Sequence, residues 1–196
     1  MPQKRRHFSA TMKILHITDI HGNEKIMKKA LKFRNVEIVA ISGDLIETKD
    51  DIKKVKEWIK SFKVPVIICS GNHDIEIDNG EWLYETNALV NRKVEINKVI
   101  IDAKGYMSEE FDYNVDILIY HTPPKNTLTS TDKNYKDFGD EFLEKLLKHN
   151  FNPKYLLCGH VHNPLSWQDR INKTIIINSC FEKYNISFLN LKADLL

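Results

Sequence analysis

An α/β fold of two mixed sheets packed face to face, with helices outside each, is what this 196-residue sequence predicts. Three observations carry that reading. The first half holds two strand–helix–strand units in a row, the pattern of a parallel sheet with right-handed crossovers. The second half turns to short alternating segments rich in antiparallel signals. No linker, internal repeat or low-complexity tract divides the two halves, so a single domain over residues 12–196 must absorb every element. Residues 1–11, with Lys4, Arg5 and Arg6 but no apolar stretch of signal-peptide length, are expected to be a disordered extension.

Lys13 to Thr18 reads as the first strand and runs into Asp19-Ile20-His21-Gly22. A helix is predicted from about Asn23, its apolar stripe being Ile26, Met27, Ala30, Leu31 and Phe33. Val36 to Ile41 is a second strand, delivered into Ser42-Gly43-Asp44. Asp50 to Phe62 places Ile52, Val55, Trp58, Ile59 and Phe62 on one helical face. Val66 to Cys69, apolar and β-branched, is a buried strand ending at Ser70-Gly71-Asn72-His73-Asp74. Further on, Arg92–Ile96 and Val99–Ala103 look like a hairpin around Asn97-Lys98. Val115 to Tyr120 is again a buried strand, ending at His121-Thr122-Pro123-Pro124. A polar loop, Lys125 to Asp137, precedes a helix from about Phe138 to His149. Tyr155 to Cys158 leads into Gly159-His160-Val161-His162, and strand-like runs follow at Leu165–Asp169, Thr174–Ile177 and Ile186–Leu189.

Hydrophobic content of 42% and charged content of 29% suit a globular chain long enough to bury a sizeable core. A net charge of +2 points to neither nucleic acid nor an anionic membrane, and no apolar run approaches the ~20 residues of a bilayer span. Cys69, Cys158 and Cys180 lack CxxC or zinc-finger spacing. They read as buried free thiols, which suits a reducing cytoplasm.

Five strand ends carry one chemistry: Asp19/His21, Asp44, Asn72/His73/Asp74, His121 and His160/His162. In open α/β sheets the carboxyl ends of parallel strands form the ligand rim. Carboxylate oxygens and neutral imidazoles gathered there make a site for Mn, Fe, Co, Ni or Zn, and the absence of cysteine from these ends argues against thiolate zinc. Any one such residue more often caps a helix or satisfies a turn; the ordered set of five is what gives the pattern weight.

The series Asp19-x-His21, Gly43-Asp44, Gly71-Asn72-His73-Asp74, His121, Gly159-His160-x-His162 resembles the calcineurin-like metallophosphoesterase superfamily. The resemblance implies a four-layer αββα sandwich holding two divalent transition-metal ions, manganese first, with iron, nickel, cobalt or zinc as alternatives. It implies one ion held by Asp19, His21 and His162, another by Asn72, His121 and His160, and Asp44 between them. It gives His73 the task of binding phosphate and protonating the leaving alkoxide, with Asp74 or Glu47 as the carboxylate that orients its ring. The Asp-Arg-Gly signature of protein phosphatases is missing after Asp44, and there is no room for the cap of the repair nucleases. His121-Thr122-Pro123-Pro124 is instead similar to the compact phosphodiesterases. The implied activity is hydrolysis of small nucleotide diesters, cyclic ones included, by in-line attack of a dimetal-bound hydroxide. A phosphomonoesterase or a silent metal-binding scaffold is the alternative.

Outside that set, His16 lies within the first strand and reads as a core histidine, and His149 as a partner of its helix's C-terminal dipole. Trp82 and Tyr84 either pack or border the pocket. The loop from Lys125 to Asp137 is either plain solvated surface or an overhang above the metals.

Overall fold

The computed structural model describes residues 12–181 and 185–191; the extension expected over residues 1–11 lies outside them. The chain begins with β1 (Met12–Ile17), α1 (Glu24–Ala30), β2 (Ile38–Ser42), α2 (Asp51–Ser61) and β3 (Val66–Cys69). These are the two predicted crossover units, and β1–β2 and β2–β3 pair in parallel. Two short helices then follow, α3 (Asn72–Glu76) and α4 (Glu81–Tyr84), bridged by a 3-10 turn at Asp78–Gly80. A two-residue strand, β4 (Leu89–Val90), completes the parallel run beside β3.

The second half contributes β5 (Lys93–Ile96), β6 (Val99–Lys104), β7 (Ile117–Tyr120), α5 (Glu141–His149), β8 (Tyr155–Cys158), β9 (Gln168–Ile171), β10 (Thr174–Asn178) and β11 (Ile186–Leu191). The hairpin expected around Asn97-Lys98 is the β5–β6 pair, both turn residues taking positive φ. One sheet has the order β11-β1-β2-β3-β4 and the other β5-β6-β7-β8-β10-β9. Each is mixed: β11 runs antiparallel to β1 and β9 to β10, while β6–β7, β7–β8 and β8–β10 are parallel.

Period-two alternation gives every central strand two apolar faces. Ile14, Ile38, Ala40 and Ile67 of the first sheet meet Ile101, Ile117, Ile119 and Leu157 of the second in the core between the sheets. The opposite faces are covered from outside. Leu15, Ile41 and Ile68 pack beneath Met27, Val55, Trp58 and Ile59 of α1 and α2. Leu118, Leu156 and Ile176 pack beneath Leu143 and Leu147 of α5. The result is the four-layer αββα arrangement.

Among the elements that differ from expectation, three do so for a local reason that the hydrogen bonds show. The predicted helix at Phe138 starts at Glu141, because Asp140 caps it by accepting the Leu143 N–H while Phe138 and Asp140 bond back to Ser130 and Pro123. The strand expected from Leu165 starts at Gln168, since the N–H groups of Leu165 and Ser166 are taken by carbonyls of Thr131 and Leu128. The helix at Asn72, read from sequence as a turn, matters most, for it sets Asn72 and His73 on a first helical turn.

His16 is fully buried and joins the sheets: its Nε2 lies 2.8 Å from Ser42 Oγ and its Nδ1 2.6 Å from Ser179 Oγ. Burial, working against the nearby Asp19 charge, lowers this imidazole to about 3. The three cysteines are free and buried, and no helix among the described residues is long and apolar enough to cross a membrane.

Candidate dinuclear metal site

The carboxyl ends of β1, β2, β3, β7 and β8 deliver their loops to one rim. The backbone there is bent hard: Asp19, His21, Asp44 and His160 all take positive φ, a region that non-glycine residues enter at a cost and that gathers at functional sites. Glycines permit the close approach. A Cβ on Gly71 would stand 2.2 Å from Asp44 Oδ1, and one on Gly159 would stand 2.0 Å from Asp19 Oδ2.

The structure brings together all seven residues expected to hold metal. His121 Nε2 and His160 Nδ1 each lie 3.1 Å from Asn72 Oδ1 and 3.2 Å from one another. Asp44 Oδ2 is 3.3 Å from His121 Nε2 and 4.0 Å from His21 Nε2. Asp19 Oδ1 is 3.3 Å from His162 Nε2, and both Asp19 oxygens accept the His160 N–H. Asp44 Oδ1 accepts the N–H of His73, fixing the helix start against the shared carboxylate.

This donor set fits cations. His121 donates its Nδ1 proton to the Ser42 carbonyl 2.7 Å away, which in the neutral ring leaves Nε2 a lone pair. That lone pair faces another acceptor, Asn72 Oδ1, an arrangement repulsive alone and sensible around a shared positive ion. Both ring nitrogens of His21 are buried without a hydrogen bond; Glu47 Oε2 sits 2.8 Å from Nδ1, off the bonding axis. Without ions, protons answer the same negative field. Burial presses His121 toward neutrality, yet the hydrogen bond and charge of Asp44 raise it to about 9. Burial acts to raise Asp19, but His162 and His121 bring it down to about 2. Desolvation and the neighbouring His121 lower His160 to about 4, leaving a neutral imidazole suited to ligation.

His73 stands beside this set, its ring 4.9 Å from that of His21 and its Nδ1 3.8 Å from Glu47 Oε2. Of the two carboxylates considered for orienting it, Glu47 is the one that faces its ring. Asp74 is wholly buried and spends its oxygens on the N–H groups of Asp44, Leu45 and Gly71, each 2.9 Å away. Among the described residues no ion pair joins it to His73. It braces the Asp44 turn, which adjacency in sequence does not reveal.

Trp82 is buried and donates to the Asp74 carbonyl, a packing role, while Tyr84 is exposed. The loop from Lys125 to Asp137 folds onto the Pro164–Ser166 segment and α5, and lines neither cleft beside the ligands. The pattern of apolar residues foretells neither of those clefts. One holds Tyr106, Met107, Phe138 and Phe142 beside His160; the other holds Asn23, Lys25 and Asn163 beside His21 and His162.

Fold and rim together define an α/β sandwich whose strand ends gather candidate metal ligands. The chain belongs to the calcineurin-like phosphoesterase family, whose model matches residues 12–164. It is 27% identical over 188 residues to the probable glycerophosphodiester phosphodiesterase GpdQ of Arcobacter nitrofigilis, covering 81% of this chain and 67% of that protein. Its fold is similar to that of TT1561 from Thermus thermophilus, with TM-score 0.66 and 13% identity, covering 94% of this chain and all of that one (100%). The phosphopantetheinyl hydrolase PptH of Mycobacterium tuberculosis aligns at TM-score 0.63 and 12% identity, covering 93% of this chain and 97% of that one. The chain is therefore a hydrolase acting on phosphoester bonds.

Proposed function

We propose that the protein is a phosphodiesterase acting on small nucleotide diesters in the cytoplasm. The observation that carries this reading is the seven-residue lone-pair set with His73 at its edge. Asn72, His121 and His160 would hold one ion and Asp19, His21 and His162 the other, with Asp44 available to both; their mixed O and N donors suit manganese. When bound, a pair of divalent ions polarises the phosphoryl oxygens and lowers the pKa of the attacking water.

The chain's own groups supply the rest. His121 is locked by the Ser42 carbonyl, so its lone pair keeps one direction. Asp74 holds the Asp44 turn through three N–H groups. His73 lies where a substrate phosphate would meet the rim and carries an imidazole that can serve as general acid to a leaving alkoxide. Glu47, facing both His73 and His21, orients the two rings. Free buried cysteines suit a reducing compartment. The named activity of the Arcobacter relative supports a diester over a monoester substrate.

The test is turnover of bis-p-nitrophenyl phosphate against p-nitrophenyl phosphate after chelation and Mn²⁺ addition. Diester preference, lost in Asp44→Asn, is the expected result. Preference for the monoester would replace the substrate class, and no turnover with any divalent metal would leave a binding scaffold.

A further inference from the structure

The ligand row stands between two clefts, and aromatic rings line only one of them. On the side of His160 lies a cavity of about 360 Å³, walled by the rings of Tyr106, Phe138 and Phe142 with Met107 at its mouth. Phe138, Phe142 and Met107 are exposed there, and such apolar side chains in one concave place beside polar ligands are the usual build of a binding pocket. Tyr106 closes its inner end, its ring 6.0 Å from that of His121 and 6.3 Å from that of His160. Glu109, Asp140 and Glu141 also line it, Glu141 being paired with Lys125 at 3.4 Å and Lys145 at 2.6 Å. On the other side a cavity of about 490 Å³ is lined by Lys25 and three asparagines together with Ile20, Ile26 and Cys180, and it holds no aromatic side chain beyond the histidine ligands.

The geometry points to the Tyr106 cleft as the subsite for the nucleobase of a nucleoside phosphodiester, a proposal that rests on the phosphodiesterase reading and names its substrate more closely. A phosphorus held at the ligand row presents one ester arm to each cleft. Carboxylates at the aromatic side can accept hydrogen bonds from ring N–H groups. A flat uncharged ring stacks on Tyr106 or Phe142, and stacking of one base on an aromatic side chain contributes about 1–3 kcal/mol. The volume sits near the small end of ligand pockets, about 300–1,000 Å³, which suits one base and its sugar. An arm bearing more hydroxyl or phosphate oxygens belongs on the Lys25 side. Tyr106, Phe138 and Phe142 thus set specificity, without touching the reacting atoms.

Two substrates with the same leaving group test this: thymidine 5′-p-nitrophenyl phosphate and ethyl p-nitrophenyl phosphate, on the Mn²⁺-loaded protein. The wild type is expected to show the lower KM for the thymidine ester. Tyr106→Ala and Phe142→Ala are made separately, so that a folding defect in one leaves the other to decide. Each should cut the thymidine-to-ethyl ratio of kcat/KM about tenfold, through KM. Equal KM values in the wild type, or equal losses on both substrates in both variants, would overturn the subsite. Absence of any turnover of either ester by the wild type would instead overturn the phosphodiesterase reading beneath it.

Discussion

The two halves of the ligand set are built to different standards. Asn72, His121 and His160 form a closed triangle with sides of 3.1, 3.1 and 3.2 Å, and the His121 side chain is 0% exposed. Asp19, His21 and His162 form a looser group in which the His162 side chain is 54% exposed and His21 leans toward Glu47. The closed half grows from β3, β7 and β8 in the middle of the molecule, where both sheets and the Ser42 carbonyl fix each donor. The open half relies on a single imidazole beyond the end of β8 and on the short turn after β1. Preorganised donors lose less freedom on binding, so the closed half should hold its ion more tightly, leaving the other exchangeable.

Asp44→Asn attacks the comparison at its root, since that carboxylate belongs to both halves. Turnover of bis-p-nitrophenyl phosphate should fall by more than about a hundredfold, the upper figure for loss of a mere supporting partner, because here the shared ligand itself goes. Next come His121→Ala and His162→Ala, compared by competitive metal titration. His121→Ala should abolish the tighter binding phase, whereas His162→Ala should weaken only the looser one. Loss of both phases in His162→Ala would mean that the halves do not differ as their geometry suggests.

Glu47→Gln is a smaller perturbation on the open side. It should reduce kcat about tenfold, the low end of what an outer partner of a ligand contributes. The loss should be greater for an alkoxide than for p-nitrophenolate as leaving group, because protonation by His73 matters more to the poorer one. A loss equal for both leaving groups would confine Glu47 to holding His21.

The mildest effect on the site belongs to His16, which supports the closed half from beneath through Ser42. Its folded pKa of about 3 lies below its unfolded value of 6.5. As pH falls below 6.5 the unfolded chain takes up a proton that the folded imidazole refuses, so stability drops toward acid. Between about pH 6.5 and about pH 5 the wild type should lose about 2 kcal/mol more than His16→Asn, read by urea unfolding of metal-free protein. Parallel loss in both proteins would show that the buried ring is not the group refusing the proton.

The same contrast explains what the sequence makes legible. Long apolar runs stopping at Gly-Asp, Gly-Asn or Gly-His betray both the strand and the rim, so the central sheets and their ligand-bearing ends can be read in advance. Short elements cannot. Neither α3 nor α4 has enough residues for a period to show, and β4 is two residues whose place comes from pairing with β3. The sequence leaves Asp74 and Glu47 undivided because the turn after Gly43 folds Asp44 and Leu45 back onto Asp74, a through-space fact with no local signature. Tyr106 and Lys25 become visible only when distant loops meet at the same rim.

Anomalous diffraction from crystals soaked in Mn²⁺ addresses the two-ion site most directly. Two peaks flanking the Asp44 carboxylate are expected, one against Asn72, His121 and His160 and one against Asp19, His21 and His162, with the first persisting at the lower manganese concentration. A single peak away from Asp44, or none at saturating manganese, would contradict the account.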